Sequence, residues 1–173
     1  MGPIQNRMQF DKVVSLVDQA RAGGAKIVCG GEARPGPGNF YPLTLVNDIA
    51  DGASLVDQEQ FGPVLPIIKY RDVEDAIASA NRLEAGLGAS VWSVDIDKAR
   101  AVASRIQAGT VWINCYDVFD AAAPFGGWKR SAFGDTNQHG PEGVRFYTKI
   151  KTVTARWPTG IRAGAEFNIP TLK

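Results

Sequence analysis

Apolar residues recur at helical spacing near the start of the chain. The pattern predicts an amphipathic helix over roughly residues 5–22, ended by the Gly23-Gly24 pair. Its apolar side is predicted to carry Phe10, Val13, Val14, Val17 and Ala20.

Short apolar runs of strand length follow this helix. They cover residues 26–29, 43–46 and 64–70, and a loop rich in glycine and proline occupies residues 30–39. Pro66 in the third run favours a place at the edge of a sheet, because proline has no N–H to donate to a neighbouring strand.

Two strand–helix units come next. Asp72 and Asp95 can each cap the first turn of a helix, and apolar residues repeat at helical spacing after both. The runs 89–92 and 110–114 are predicted strands. The alternation predicts an α/β fold, a parallel sheet with helical crossovers. Because such sheets bind ligands beyond the carboxyl ends of their strands, a site is expected just after residue 114.

The remainder of the chain is less regular. A long loop at 115–135 is predicted to be functional, since structureless segments of that length are uncommon inside a compact domain. A short helix is predicted at 141–147, and alternation of side chains over 149–157 predicts a terminal strand. His139, the single histidine, is interpreted as a surface or helix-start residue.

Composition narrows the function classes. Among 173 residues, 19 basic and 18 acidic side chains leave a formal net charge of +1, so nucleic-acid binding is not expected. No apolar run approaches the ~20 residues that span a bilayer, and the start does not resemble a signal peptide, so no membrane association is expected. Two widely separated cysteines, Cys29 and Cys115, favour a reducing, cytoplasmic setting, and no metal site is predicted.

Three segments carry a resemblance to a known family. In chain order they read QEQFGPV at 58–64, GTVWINCYDVF at 109–119 and APFGGWKRS at 123–131. Together with the opening Gly2-Pro3-Ile4, they resemble the aldehyde dehydrogenase superfamily from Gly2 to about Pro158, in the same order and spacing. The resemblance implies the C-terminal part of that family's catalytic domain.

The family's reaction is an oxidation of an aldehyde. A cysteine thiolate attacks the aldehyde carbon, hydride passes to the nicotinamide of NAD or NADP, and a thioester remains. Water, or in one branch coenzyme A, then releases the acid or the acyl-CoA. The resemblance therefore implies a small-molecule aldehyde as substrate and NAD or NADP as cofactor, without choosing between the two cofactors.

The resemblance also assigns roles to individual residues. Glu59 would accept hydrogen bonds from the ribose hydroxyls of the nicotinamide half, and Phe61 would flank the nicotinamide ring. Phe125 would line the aldehyde pocket, and Asp117 and Phe119 are further candidates for its lining.

The chain departs from the family in two respects. The family's nucleophilic cysteine, general-base glutamate and Rossmann-like coenzyme domain lie upstream of the matching segment, so no catalytic residue is assigned here and the chain alone is expected to be inactive. After Ser131 the tail is similar to methylmalonate-semialdehyde dehydrogenases, which use coenzyme A, whereas the loop after Asn114 resembles hydrolytic members. Hydrolysis is favoured because that loop forms the pocket.

Two interpretations of the whole chain stay open. The first is a portion of an aldehyde-oxidising enzyme, and the second is a free-standing, non-catalytic remnant that binds itself or a full-length relative; whether Met1 is a natural start would separate them. The predicted organisation is a partial catalytic domain at 1–148, an oligomerisation strand at 149–157 and a tail at 158–173. Homo-oligomers are expected through the terminal strand, because an alternating strand at a chain end is an exposed edge unless it is paired.

Overall fold

The computed structural model describes residues 1–134 and 137–155. Helices alternate with short strands throughout. In chain order the elements are α1 (Arg7–Ala22), β1 (Lys26–Cys29), β2 (Thr44–Asn47), α2 (Ser54–Asp57), β3 (Val64–Pro66), α3 (Val73–Arg82), β4 (Ala85–Gly86), β5 (Gly88–Val91), α4 (Ile96–Ala103), β6 (Thr110–Ile113), β7 (Trp128–Lys129) and α5 (Gly140–Phe146).

Helix α1 forms where the apolar pattern predicted it. It begins two residues later than expected because Asn6 caps it, accepting a hydrogen bond from the Gln9 N–H at 2.8 Å. Four of the five predicted apolar residues are buried, and Val14 is partly buried against the same core.

The strands form three small sheets, which corrects the prediction of one parallel sheet. In the first sheet, of order β1-β2-β3, β1 pairs antiparallel with β2, and β2 pairs parallel with β3. The antiparallel pair arises because a loop, and no crossover helix, joins β1 to β2. Strands β5 and β6 form a parallel pair joined by α4, and β4 pairs antiparallel with β7. The predicted helical crossover is therefore confirmed for β5-α4-β6, and a second one, through the unpredicted short helix α2, joins β2 to β3.

Strand β3 is shorter than the predicted run of 64–70. Its ladder ends at Pro66, opposite Val46, near the end of β2, so the later residues have little strand left to pair with. The edge position predicted for Pro66 is confirmed, because β3 is the outer strand of its sheet.

The predicted N-caps of α3 and α4 are confirmed. The Asp72 carboxylate accepts from the Asp75 N–H at 2.9 Å, and the Asp95 carboxylate accepts from the Lys98 N–H at 3.0 Å. Helix α5 begins after His139, which is exposed and has a φ of 63°, as expected for a surface residue at a helix start.

The chain from 149 to 155 lies outside every strand of the described structure, and its apolar side chains are exposed, with Ile150 at 99% and Val153 at 78%. Residues 156–157 of the predicted strand and the predicted tail at 158–173 lie outside the described residues. Pairing of this segment with another chain stays a prediction.

Burial differs between the two halves. One apolar cluster joins α1 to the β1-β2-β3 sheet, with Val13, Val17 and Val46 fully buried. In the described residues after 70, the buried hydrophobic side chains are Ile77, Ala99 and Ala108.

A polar cluster connects the two halves. Arg82, in the last turn of α3, donates to Asp57 of α2 at 3.0 Å and contacts Asp51, whose carboxylate also accepts from the Ser79 hydroxyl at 2.8 Å. The hydrogen bond from Arg82 lowers the pKa of Asp57 below its ordinary value, so this carboxylate stays ionised in its pairing. The side chains of this cluster lie at the surface, where ion pairs contribute little to stability. The cluster therefore serves mainly to orient α3 relative to α2.

Two backbones cross with no side chain between them where β6 begins. The Gly109 N–H donates to the Gly86 carbonyl at 3.0 Å, and a Cβ on Gly109 would overlap the carbonyl oxygen of Gly126. The loop that leaves β6 therefore returns at Gly126 against the backbone of Gly109, the residue before β6, with no room for a side chain between them.

Substitution at this crossing is expected to be severe. Gly109→Ala should lower the free energy of unfolding by about 3 kcal/mol or more, because the backbone at Gly126 must move to admit the methyl group. Gly2→Ala is the matched control, since a Cβ at Gly2 meets nothing within 4 Å. Urea unfolding followed by circular dichroism measures both, and equal midpoints would contradict the close crossing.

Candidate functional site

The loop between α2 and β3 carries Glu59 and Phe61, the two residues predicted to contact a cofactor. Two side chains of α1 hold its backbone from below. Gln9 Nε2 donates to the Gln60 carbonyl at 2.5 Å, and Lys12 Nζ donates to the Glu59 carbonyl at 2.6 Å. The loop is therefore fixed to the helix that supplies much of the core.

Gln60 holds the same loop from within. Its Oε1 accepts from the Gly62 N–H at 2.6 Å, and its Nε2 donates to the Val64 carbonyl at 2.7 Å. Gly62 lies against α1, where a Cβ would come within 2.5 Å of a methyl group of Val13.

The side chains of Glu59 and Phe61 point away from α1, toward solvent. Both residues are exposed, Phe61 by 74%, and Phe61 has a φ of 44°. A bulky residue in the left-handed region is uncommon and indicates that the surrounding structure imposes the conformation. Within residues 1–134 and 137–155, no ion pair involves the Glu59 carboxylate, so its oxygens are available as acceptors.

A second group of candidate residues follows β6. Asn114, with a φ of 54°, binds Ser93 through both its amide atoms, since its Nδ2 donates to the Ser93 carbonyl and its Oδ1 accepts from the Ser93 N–H, each at 2.8 Å. The carboxyl ends of β5 and β6 are thereby joined. Trp112 Nε1 donates to the Val118 carbonyl at 2.8 Å, which folds the next residues back over the strand.

Aromatic rings form a continuous series above this end of the sheet. Edge-to-face contacts join Trp112 to Tyr116 at 5.3 Å and to Phe119 at 5.8 Å between ring centroids. Phe119 contacts Phe125 in the same manner at 4.9 Å, and the His139 ring lies 6.4 Å beyond. The structure thus brings together Phe119 and Phe125, two of the three predicted pocket residues.

Two cavities adjoin at this face. One, of about 840 Å³, is lined by Phe125 and by side chains around α5, and the other, of about 1140 Å³, is lined by Glu59 and the polar side of α3. The smaller volume lies within the range of small-molecule sites, roughly 300–1,000 Å³, and the larger slightly exceeds it. Leu87 and Ser131 line both cavities and form the wall between them.

The remaining predicted residues have different positions. Phe61 lines neither cavity, and Asp117, exposed with a φ of 59°, lies in the turn between Tyr116 and Phe119 and lines neither. Gln9, Lys12 and Gln60 were not predicted as functional residues, although Gln60 lies inside the QEQFGPV motif.

Charged side chains surround the Glu59 cavity. Arg130 donates to Glu84 at 2.6 Å, and this hydrogen bond raises the pKa of the Arg130 guanidinium. Arg82 lines the same cavity and is paired with Asp57. Both arginines are thus neutralised by carboxylates other than Glu59.

Two kinds of site are not found in the described part of the chain. It contains no group of three or more His, Cys, Asp or Glu residues arranged to hold a metal ion. None of its helices is both long and apolar enough to cross a membrane.

Comparison with known proteins identifies the family. The model of the aldehyde dehydrogenase family matches residues 1–153. The chain belongs to the aldehyde dehydrogenase family. This aldehyde dehydrogenase chain is 43% identical over 157 residues to the mitochondrial aldehyde dehydrogenase of Equus caballus, which covers 91% of the chain and 31% of the horse protein. A betaine aldehyde dehydrogenase of Cereibacter sphaeroides is 42% identical over 153 residues, covering 88% of the chain and 31% of that protein.

Solved structures agree with the sequence relatives. The NAD+ complex of aldehyde dehydrogenase from Bacillus cereus superposes with a TM-score of 0.82 at 37% identity, covering 88% of this chain and 31% of that one. A betaine aldehyde dehydrogenase from Staphylococcus aureus in complex with NAD+ gives a TM-score of 0.79 at 35% identity, covering 85% and 30%. The partial aldehyde dehydrogenase α/β fold is confirmed, and the chain spans about 31% of the length of the relatives it matches.

Asn114 offers a direct test of how the aromatic loop is held. Asn114→Ala should lower the free energy of unfolding by about 2 kcal/mol, because it removes two hydrogen bonds and leaves a left-handed backbone without glycine or asparagine. Asn114→Asp keeps the acceptor and should lose about half as much. Asn114→Gly relieves the backbone alone, and if it were as stable as the unsubstituted chain in urea, the link to Ser93 would be unimportant.

Proposed function

We propose that this chain forms the C-terminal part of the catalytic domain of an NAD(P)-dependent aldehyde dehydrogenase. The enzyme oxidises an aldehyde to a carboxylic acid through a cysteine thioester, and the nucleophile comes from outside these residues. The observation that carries the proposal is the loop at 59–62, which α1 holds so that Glu59 lines a cavity and Phe61 is exposed to solvent two residues later.

Glu59 and Phe61 would hold the nicotinamide half of the cofactor, whose chemistry is to accept hydride. A carboxylate offers two acceptor oxygens to a ribose diol, and the Glu59 carboxylate has no ion-pair partner in the described structure. The exposed ring of Phe61 offers an apolar face at the same loop. Fixing both groups in advance limits the entropy lost when the reacting carbon is oriented.

The aldehyde would lie on the other side of the wall formed by Leu87 and Ser131. Phe125 lines that cavity and Phe119 packs edge-to-face against it from behind, and Asp117 would stand at the rim of the pocket. An apolar lining favours aliphatic or aromatic aldehydes over charged ones. Adjoining cavities would let a substrate and a cofactor approach each other across a short distance.

Water is the acyl acceptor that we favour. The aromatic loop after Asn114 resembles that of hydrolytic members, and it contributes Phe125 to the proposed pocket and Phe119 to the support of Phe125. Coenzyme A is the alternative, suggested by the sequence after Ser131, part of which also lines the Phe125 cavity.

Binding of nicotinamide mononucleotide to the 173-residue chain tests the cofactor assignment. Glu59→Gln should weaken its binding about tenfold or more, because a neutral amide replaces a charged acceptor of the ribose hydroxyls. Glu84→Gln is the control, since Glu84 lines the same cavity and is paired with Arg130. Titration followed by ¹⁵N–¹H NMR gives both affinities, and equal losses for the two variants would contradict a specific role for Glu59.

Self-association through 149–157 belongs to the same proposal. Its support is that the apolar side chains of Ile150 and Val153 are both exposed and that this segment has no strand partner in the described chain. A terminal strand of this kind can complete its backbone hydrogen bonds on a second copy.

Truncation separates this strand from the tail that follows it. A chain ending at residue 148 should be monomeric by light scattering coupled to size exclusion. A chain ending at residue 157 should form an assembly with the same number of copies as the full chain. If the chain ending at residue 148 formed an assembly with as many copies as the full chain, another surface would have to hold the copies together.

A further inference from the structure

Gln60 makes more backbone contacts than either of the residues on its two sides. Its carbonyl accepts from Gln9, its Oε1 accepts from the Gly62 N–H, and its Nε2 donates to the Val64 carbonyl. We propose that Gln60 is a positioning residue, which holds Glu59 and Phe61 in the orientation that receives the nicotinamide half of the cofactor. This inference rests on the proposed function of those two residues.

The two side-chain bonds of Gln60 both reach past Phe61 to backbone groups that follow it. The bond to the Gly62 N–H closes a tight turn around Phe61, whose φ of 44° is unfavourable for a bulky residue. The bond to the Val64 carbonyl ties the turn to the first residue of β3. Gln60 therefore compensates the strained residue locally and anchors it to the sheet.

The inward direction of Gln60 determines the outward direction of its neighbours. Gln60 is partly buried, and Glu59 and Phe61 are exposed on either side of it. Gly62 then packs against Val13, where there is no room for a Cβ, so the turn cannot settle deeper onto α1. The Gln60 hydrogen bonds and the packing of Gly62 on Val13 together hold the loop in one conformation, and this fixes the directions of Glu59 and Phe61.

Direct contact between Gln60 and a ligand is a less suitable role. Both polar ends of its side chain are engaged by backbone groups at 2.6 and 2.7 Å, so a ligand would have to displace those bonds. Its effect on binding is therefore expected to pass through Glu59 and Phe61.

Two substitutions remove either one or both of the Gln60 side-chain hydrogen bonds. Gln60→Met keeps the length of the side chain and removes both hydrogen bonds, and Gln60→Glu keeps the acceptor for the Gly62 N–H and removes the donor to Val64. Gln5→Met is the matched control, because Gln5 is an exposed glutamine that lines neither cavity.

The experiment measures two quantities on the full 173-residue chain. Nicotinamide mononucleotide is titrated by ¹⁵N–¹H NMR, and hydrogen exchange is followed at the Gly62 amide. Gln60→Met should weaken binding about tenfold and speed exchange at Gly62 about tenfold or more. Gln60→Glu should fall between, and Gln5→Met should stay within about twofold of the unsubstituted chain. A thermal melt of each variant shows whether it is folded, and Gln60→Glu serves if Gln60→Met is not.

A double-substitution cycle distinguishes the inference from the function it rests on. If Gln60 acts through Glu59, the Glu59→Gln and Gln60→Met losses are less than additive in the double variant. Full additivity, or weaker binding with unchanged Gly62 exchange, would overturn the positioning role and leave the role of Glu59 intact. A chain that binds no mononucleotide would overturn the proposed function, and the exchange rates would then decide alone whether Gln60 holds the loop.

Discussion

Helix α1 packs against the β1-β2-β3 sheet, and the position of the candidate site depends on that contact. The buried side of the helix, with Val13 and Val17 fully enclosed, fixes its distance and rotation relative to the sheet. Its polar side then carries Gln9 and Lys12 to the backbone of the loop at 59–62. A shift of the helix would move the loop with it, because packed interiors transmit displacement with little slack.

The second half is organised by different forces. Few of its described side chains are buried, and its geometry follows from the parallel β5–β6 pair, the glycine crossing at Gly109 and the two bonds of Asn114 to Ser93. These are backbone constraints, which set direction well even where little apolar area is enclosed. The aromatic series from Trp112 to His139 rests on this frame.

Local features of the structure could be predicted from the sequence, and pairings between distant segments could not. The caps at Asp72 and Asp95 were predicted correctly because a cap and its amide lie three residues apart. The antiparallel pairing of β1 with β2 was missed, since a period of two in a short strand carries no information about its partner. The predicted extent of β3 was wrong because the end of β3 is set by the end of β2, its distant partner.

The candidate site divides in a similar way. Glu59, Phe61 and Phe125 came from motifs shared with a family, and nothing in their own spacing indicated what they contact. Gln60 was missed because its role consists of hydrogen bonds to backbone atoms, which appear only after the turn has formed. The contact of Phe119 with Phe125 likewise depends on the Trp112 bond to Val118, which folds the intervening loop.

The shared wall at Leu87 and Ser131 has a consequence for how such a protein can change over evolution. A larger side chain at either position removes volume from both cavities, and a smaller one merges them. Selection for a bulkier occupant on one side would therefore disturb whatever occupies the other. Phe125 lines one cavity only, so a substitution there reshapes that cavity and leaves the other unchanged. Variation in shape is therefore easier along the aromatic side than at the shared wall.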